Sequence, residues 1–156
     1  MARPEPRLHI ALIEPQIGPN AGNIGRLCLG IGACLHLVHP LGFSTSDKAV
    51  RRAGLDYWKS VHCEEHRSLD AFLQWTKGRR VFGFTARSGE PVTRADFEAG
   101  DVLAFGCESD GLPDALRGAW PLLTIPQLGP IRSLNLSNAV AIAAYSALQQ
   151  VEPHLF

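Results

Sequence analysis

The chain lacks any long hydrophobic run. No stretch approaches the ~18 consecutive apolar residues that a membrane-spanning helix requires, so a membrane-spanning role is not expected. The first residues, Met1 to Arg7, are polar and proline-rich, with no apolar segment behind them of the kind that makes a secretory leader; the expectation is a cytosolic protein. Cysteine is scarce: Cys28, Cys34, Cys63 and Cys107 are the four in 156 residues, and no two form a Cys-x-x-Cys pair. Each stands in an apolar or strand-like stretch, which argues against a disulfide scaffold or a thiolate zinc site and predicts buried free thiols. Neither sign of charge is in excess, Lys+Arg and Asp+Glu numbering 15 each, so the overall basic balance common among nucleic-acid binders is missing. The total does not fix the distribution, however, and basic residues gather at Lys48, Arg51, Arg52 and Lys59 and again at Lys77, Arg79 and Arg80. There is no internal repeat, linker or low-complexity tract, and 156 residues with a 46% apolar fraction suit one compact domain over 1–156.

What is present alternates. Leu8 to Ile13 is an apolar run ended by Glu14-Pro15 and reads as a strand. Gly18-Pro19-Asn20 is a turn, and Asn20 is placed to cap a helix whose Ile24, Leu27, Cys28 and Ile31 share a face. Cys34 to Val38 is a second strand, stopped at His39-Pro40. A short helix is expected over Asp47 to Arg52, closed by Gly54, and a third strand over Val61 to Cys63. Ser68 caps a helix carrying Leu69, Phe72, Leu73 and Trp75. Strands follow at Val81 to Phe84, Val102 to Phe105 and Leu122 to Ile125. A last helix, capped by Asn135 or Ser137, runs to about Gln150. The alternation predicts an α/β fold with a mostly parallel sheet and helices on both faces. Such sheets bind ligands beyond the carboxyl ends of their strands, which directs attention to the loops after Ile13, Phe84, Phe105 and Ile125.

Three familiar patterns fail on physical grounds. His62-Cys63-Glu64-Glu65-His66 matches H-x-x-E-H, but that zinc chemistry needs a helix to bring both imidazoles to one face. Here the segment lies between a strand and the Ser68 cap and reads as a solvated loop, so no metal is expected. Gly106-Cys107-Glu108-Ser109-Asp110-Gly111 resembles a hydrolase nucleophile elbow with one residue too many before Ser109, and Asp110-Gly111 before Pro113 is turn chemistry. Gly18, Gly22 and Gly25 follow a strand without the G-x-G-x-x-G spacing, and Gly30-Ile31-Gly32 does not complete it because Leu35 stands at the third position. No acidic residue ends the second strand. A nucleotide-dependent oxidoreductase is therefore disfavoured.

Three other segments carry polar groups beyond what local structure needs. In Pro19-Asn20-Ala21-Gly22-Asn23-Ile24-Gly25-Arg26-Leu27-Cys28, Arg26 falls one to two turns into the helix, opposite its apolar stripe; a capping Asn and a solvated Arg would explain the pair equally. In Val102 to Pro113 a buried strand runs into Gly106, which allows close backbone approach to a ligand, and Glu108, which is free to face a sulfonium or an arginine or simply water. In Ile125 to Ala141, Ser133, Asn135 and Ser137 alternate with Leu134 and Leu136 just before an apolar helix, and only one of them is needed as a cap. That helix is rich in small residues (Ala139, Ala141, Ala143, Ala144, Ala147), which suits close packing on another helix of the chain or of a partner.

Together, in this order and over nearly the whole chain, the three segments resemble the SPOUT methyltransferases, whose C-terminal part forms a trefoil knot. The closest likeness is to the minimal subfamily that methylates the 2′-hydroxyl of the tRNA wobble nucleotide, cytidine or uridine; Arg51-Arg52-Ala53-Gly54-Leu55-Asp56-Tyr57 is similar to it as well. The resemblance implies S-adenosyl-L-methionine as methyl donor, an anticodon stem-loop of tRNA as substrate and a homodimer in which Arg26 reaches a site completed by the other subunit. It maps the family's polar motif positions onto Asn20, Arg26, Glu108, Ser133 and Asn135. The cofactor pocket would use Phe84, Gly106, Ile125 and Ser133, largely through main-chain groups, and Lys48, Arg51, Arg52 and Tyr57 would meet the RNA. One departure is that Ser109-Asp110 stand where the subfamily often has Thr and a basic residue. The extra N-terminal RNA-binding domain of related rRNA enzymes is not expected in a chain of this length. The competing expectations are a ribose methyltransferase acting on rRNA and a non-catalytic RNA-binding module on the same fold.

Overall fold

The computed structural model describes residues 3–46, 48 and 55–156. Seven parallel strands form one sheet: β1 (His9–Ile13), β2 (Cys34–Val38), β3 (Cys63–His66), β4 (Val81–Phe84), β5 (Glu90–Pro91), β6 (Val102–Phe105) and β7 (Leu122–Thr124). Their spatial order is β3-β2-β1-β6-β4-β7-β5. The chain moves outward from β1 to the β3 edge, then crosses to build the other half. Strands β1, β2 and β6 have every residue buried, which is why they read as continuous apolar runs rather than alternating ones.

The α/β reading is correct. Helices α1 (Gly18–Ile31) and α3 (Leu136–Val151) cover one face, where Ile24, Cys28, Val140, Ala143, Ala144 and Ala147 pack on Ile10, Leu12, Leu35, Leu37 and Leu103. The small residues of α3 thus serve packing inside the chain. Helix α2 (Leu69–Trp75) covers the other face, with Phe72 against Ala11, Ile13, Val38 and Ala104. Ser68 caps α2 by accepting from the Ala71 N–H at 3.1 Å, and Asn135 caps α3 by accepting from the Ser137 and Asn138 N–H groups. Among the described residues no helix is long and apolar enough to cross a membrane.

Several local readings are corrected. Asn20 does not cap α1: the helix starts two residues earlier, at Gly18, with Pro19 in its first turn, a position where proline's missing N–H costs nothing. β3 is Cys63–His66 rather than Val61–Cys63, so the H-x-x-E-H segment is mostly an edge strand, not a solvated loop; pairing with β2 outweighs its polar composition. β7 stops at Thr124, and the two-residue β5 beside it carried no legible signal. The helix expected over Asp47 to Arg52 lies outside the described residues except for Lys48, which is helical. Cys28 and Cys34 are buried, while Cys63 and Cys107 are half-buried; all four are free. Burial pushes the Cys28 thiol upward and those of Cys34 and Cys63 up to about 12, so these three stay protonated.

Candidate active-site cleft

Loops leaving the carboxyl ends of β1, β4, β6 and β7, together with the start of α3, enclose an open cleft of about 760 Å³, within the range of small-molecule sites. These are the four loops that the strand pattern singled out. Its walls are partly apolar, formed by Phe84, Phe105 and Ile125, with the Phe84 and Phe105 rings stacked at 4.6 Å between centroids. Polar groups converge from Asn20, Glu108, Ser133 and Asn135.

The polar groups are organised around one carboxylate. Glu14 leaves β1 with φ 52°, an uncommon left-handed conformation for a non-glycine residue, and the chain turns into Gln16 and Ile17. Glu108 Oε1 accepts from the Gln16 N–H at 2.8 Å, and Oε2 accepts from the Ile17 N–H at 2.8 Å and from Asn20 Nδ2 at 3.2 Å. Glu108 therefore faces backbone and amide donors at the start of α1, not the cation considered from sequence. A carboxylate at a helix start also complements the helix dipole. Asn20 Oδ1 in turn accepts from Asn135 Nδ2 at 3.1 Å, while Asn135 Oδ1 caps α3. One relay thus joins the loop after β6, the start of α1 and the start of α3, residues 88 and 115 apart in sequence. The Ser109 N–H donates to Gln16 Oε1 at 2.9 Å, closing the loop from its other side.

Gly106 lines the cleft, yet what demands glycine there is the chain itself: a Cβ would lie 1.9 Å from the Gly111 carbonyl carbon. The loop returns on itself at this point, with Cys107 bridged to Gly111. Ser133 is exposed at the cleft and has no intramolecular partner among the described hydrogen bonds, leaving its hydroxyl available to a ligand. Arg26 does not line the cleft. It is exposed on α1, opposite the buried stripe, with its guanidinium 5.2 Å from the Tyr57 ring centroid. Lys48 and Tyr57 are also exposed, and Arg51 and Arg52 lie outside the described residues. Sequence reasoning passed over Arg87, Arg117 and Arg132, which line the cleft. The only prior signal was their position just beyond strands β4 and β7 and in the loop after β6.

A parallel sheet with a ligand-sized cleft at its carboxyl ends, lined by charged and apolar side chains and organised by a partly buried amide–carboxylate relay, defines an α/β protein with a small-molecule site at the ends of its strands. The SpoU rRNA Methylase family model matches residues 7–145, and the chain belongs to that family. It is 41% identical over 147 residues to the tRNA (cytidine(34)-2′-O)-methyltransferase of Escherichia coli K12, covering 92% of this chain and 94% of that relative. A solved structure described as giving insights into the 2-OH methylation of C/U34 on tRNA superposes with a TM-score of 0.89 at 48% identity, over 92% of this chain and 95% of that one. An AdoMet-bound rRNA methyltransferase from Sinorhizobium meliloti has the same core, with a TM-score of 0.86 at 25% identity over 100% of this chain and 59% of that one.

Proposed function

We propose that the protein transfers a methyl group from S-adenosylmethionine to the ribose 2′-hydroxyl of the wobble nucleotide of tRNA, a cytidine or uridine at position 34, in the cytosol. The observation that carries this reading is the cleft itself. Its residues fit the cofactor: the volume suits a nucleoside, Phe84, Phe105 and Ile125 offer apolar surface for a base, and Ser133 has an uncommitted hydroxyl. Phe84, Gly106, Ile125 and Ser133 would hold S-adenosylmethionine, which supplies an electrophilic methyl group when bound. The likeness to relatives named for this reaction, across nearly their full length, supports the choice of tRNA over rRNA. The trefoil knot belongs to the same reading.

The chain's task is to hold the hydroxyl in line with the methyl carbon, and alignment alone contributes several kcal/mol. The Glu108–Asn20–Asn135 relay is the positioning frame, because it fixes three loops of the cleft relative to one another. Arg26 cannot accept the hydroxyl proton while it is a charged guanidinium with no lone pair; its role is to bind phosphate or to stabilise the developing alkoxide. Arg87 and Arg132 bring cations to a cleft that also holds the carboxylates of Glu108 and Asp110, and Lys48, Arg51, Arg52 and Tyr57 contact the anticodon stem-loop.

Because Arg26 stands apart from the cleft of its own chain, the reading requires a homodimer that brings Arg26 to the partner's cleft. Support comes from large apolar side chains exposed on neighbouring helices, Leu29 on α1 and Ile142 and Tyr145 on α3. Mixing inactive Arg26→Lys and Ser133→Ala proteins tests this directly. After subunit exchange, about a quarter of wild-type methyl transfer returns if sites are shared across a twofold dimer. A mixture as inactive as its components rejects the shared site. For the reaction itself, labelled methyl from S-adenosylmethionine should appear on the ribose at position 34 of unmodified total tRNA. Label on rRNA alone would move the substrate, and absence of cofactor binding by calorimetry would leave a non-catalytic module.

A further inference from the structure

Away from the cleft, strands β1, β2 and β3 present a band of ligand-type side chains beneath α2. Parallel register places His9 beside Cys34 and His36 beside Glu64, and His66 follows Glu64 by two residues on the same face. The imidazoles run in series: His9 Nδ1 lies 2.9 Å from His36 Nε2, and His36 Nδ1 lies 2.9 Å from His66 Nε2. Glu64 Oε2 is 3.7 Å from the same His36 Nδ1. Phe72 and Trp75 wall the band, with the Trp75 ring 4.2 Å from that of His36.

We propose that His36 Nδ1, Glu64 and His66 Nε2 form a binding site for a divalent transition metal of the zinc class, clamping edge strand β3 to β2. The three ligand atoms lie within 4.8 Å of one another. Two ligands on a tetrahedral ion with bonds of about 2.0–2.1 Å sit roughly 3.3 Å apart, so the two separations from His36 Nδ1, 2.9 Å to His66 Nε2 and 3.7 Å to Glu64 Oε2, need shifts of only a few tenths of an ångström. The second nitrogen of His36 is already bonded to His9. Donation from His36 Nε2 to His9 Nδ1 leaves the Nδ1 lone pair of His36 aimed at Glu64 and His66, the orienting arrangement that metal-ligating histidines use. Metal binding needs His66 to carry its proton on Nδ1, so that Nε2 offers a lone pair in place of the hydrogen bond it makes with His36 Nδ1. Access comes from the β3 side: the His36 side chain is 0% exposed but that of Glu64 is 46% exposed. The H-x-x-E-H spacing misleads here, because on a strand the third ligand comes from the neighbouring strand instead of the next helical turn.

The test uses tag-free, chelator-treated protein titrated with zinc by calorimetry and with cobalt by absorption. The expected result is one saturable site per chain, a cobalt ligand-field band and a melting temperature that rises with zinc concentration. His66→Gln and Glu64→Gln, both at partly exposed positions, each weaken binding about tenfold or more, while His154→Gln and His62→Gln bind as wild type. Circular dichroism of each variant confirms that the fold is retained. Absence of saturable binding, or binding that survives either His66→Gln or Glu64→Gln, overturns the site. So does loss in His62→Gln, which would move the metal to another set.

Discussion

The molecule holds two polar clusters that solve the same problem in opposite ways. At the carboxyl ends of the strands, Glu108, Asn20 and Asn135 come from three distant loops and satisfy one another, while the Ser133 hydroxyl beside them remains open to a ligand. Under α2, His9, His36 and His66 sit on strand faces and are walled by Phe72 and Trp75. No buried polar side-chain atom lacks a partner among the described residues, so both clusters meet the cost of burial. They differ in what they leave unspent. The loop cluster leaves a cleft and free donors, the strand cluster leaves an edge with one exposed carboxylate. A frame that positions other groups can be told from a self-contained polar core by what remains uncommitted once its own hydrogen bonds are counted.

Removing the wall of the strand cluster should have the largest effect. Phe72→Ala is expected to cost about 3–5 kcal/mol of stability, because Phe72 is fully buried between α2 and the sheet; chemical denaturation measures it, and a loss below 1 kcal/mol would show the wall to be dispensable. At the cleft the largest effect should be kinetic. Arg26→Lys is expected to lower methyl transfer about a hundredfold or more with stability unchanged, since the side chain is exposed and a point charge does not replace the planar fork. Near-normal turnover would remove Arg26 from the reaction. Glu108→Gln lies between the two: its amide turns a donor toward the Gln16 or Ile17 N–H, at a cost of about 1–3 kcal/mol, and should slow methyl transfer as well. A loss of stability alone would make the relay a structural cap and not a positioning frame. Least affected should be Leu128→Ser, at a side chain exposed to solvent, with a change within about 0.5 kcal/mol. If it abolishes tRNA methylation while folding normally, Leu128 contacts substrate.

How much of each cluster was legible follows from how it is assembled. Buried strands announce themselves as apolar runs, and Leu8 to Ile13, Cys34 to Val38 and Val102 to Phe105 were found that way. The cleft was legible because surplus polar residues before α3 and after β6 stand out against apolar neighbours. What could not be read was partnership: that Glu108 would cap the start of α1, displacing Asn20 from that task, depends on a contact across 91 and 92 residues. β3 was misplaced because its composition is polar, and only pairing with β2 makes Cys63–His66 a strand. The histidine band stayed invisible for the same reason, since its members sit on three strands whose register no local pattern reveals.

The central claim is that the cleft methylates a ribose hydroxyl of the wobble nucleotide. The most direct measurement is labelled methyl transfer from S-adenosylmethionine to two synthetic anticodon stem-loops, one normal and one with a 2′-deoxyribose at position 34, with wild type and Ser133→Ala side by side. The account predicts label on the normal substrate, little with Ser133→Ala, and none on the deoxy substrate with either protein. Equal labelling of the deoxy substrate would contradict it, because the methyl would then be going to a base or to another nucleotide.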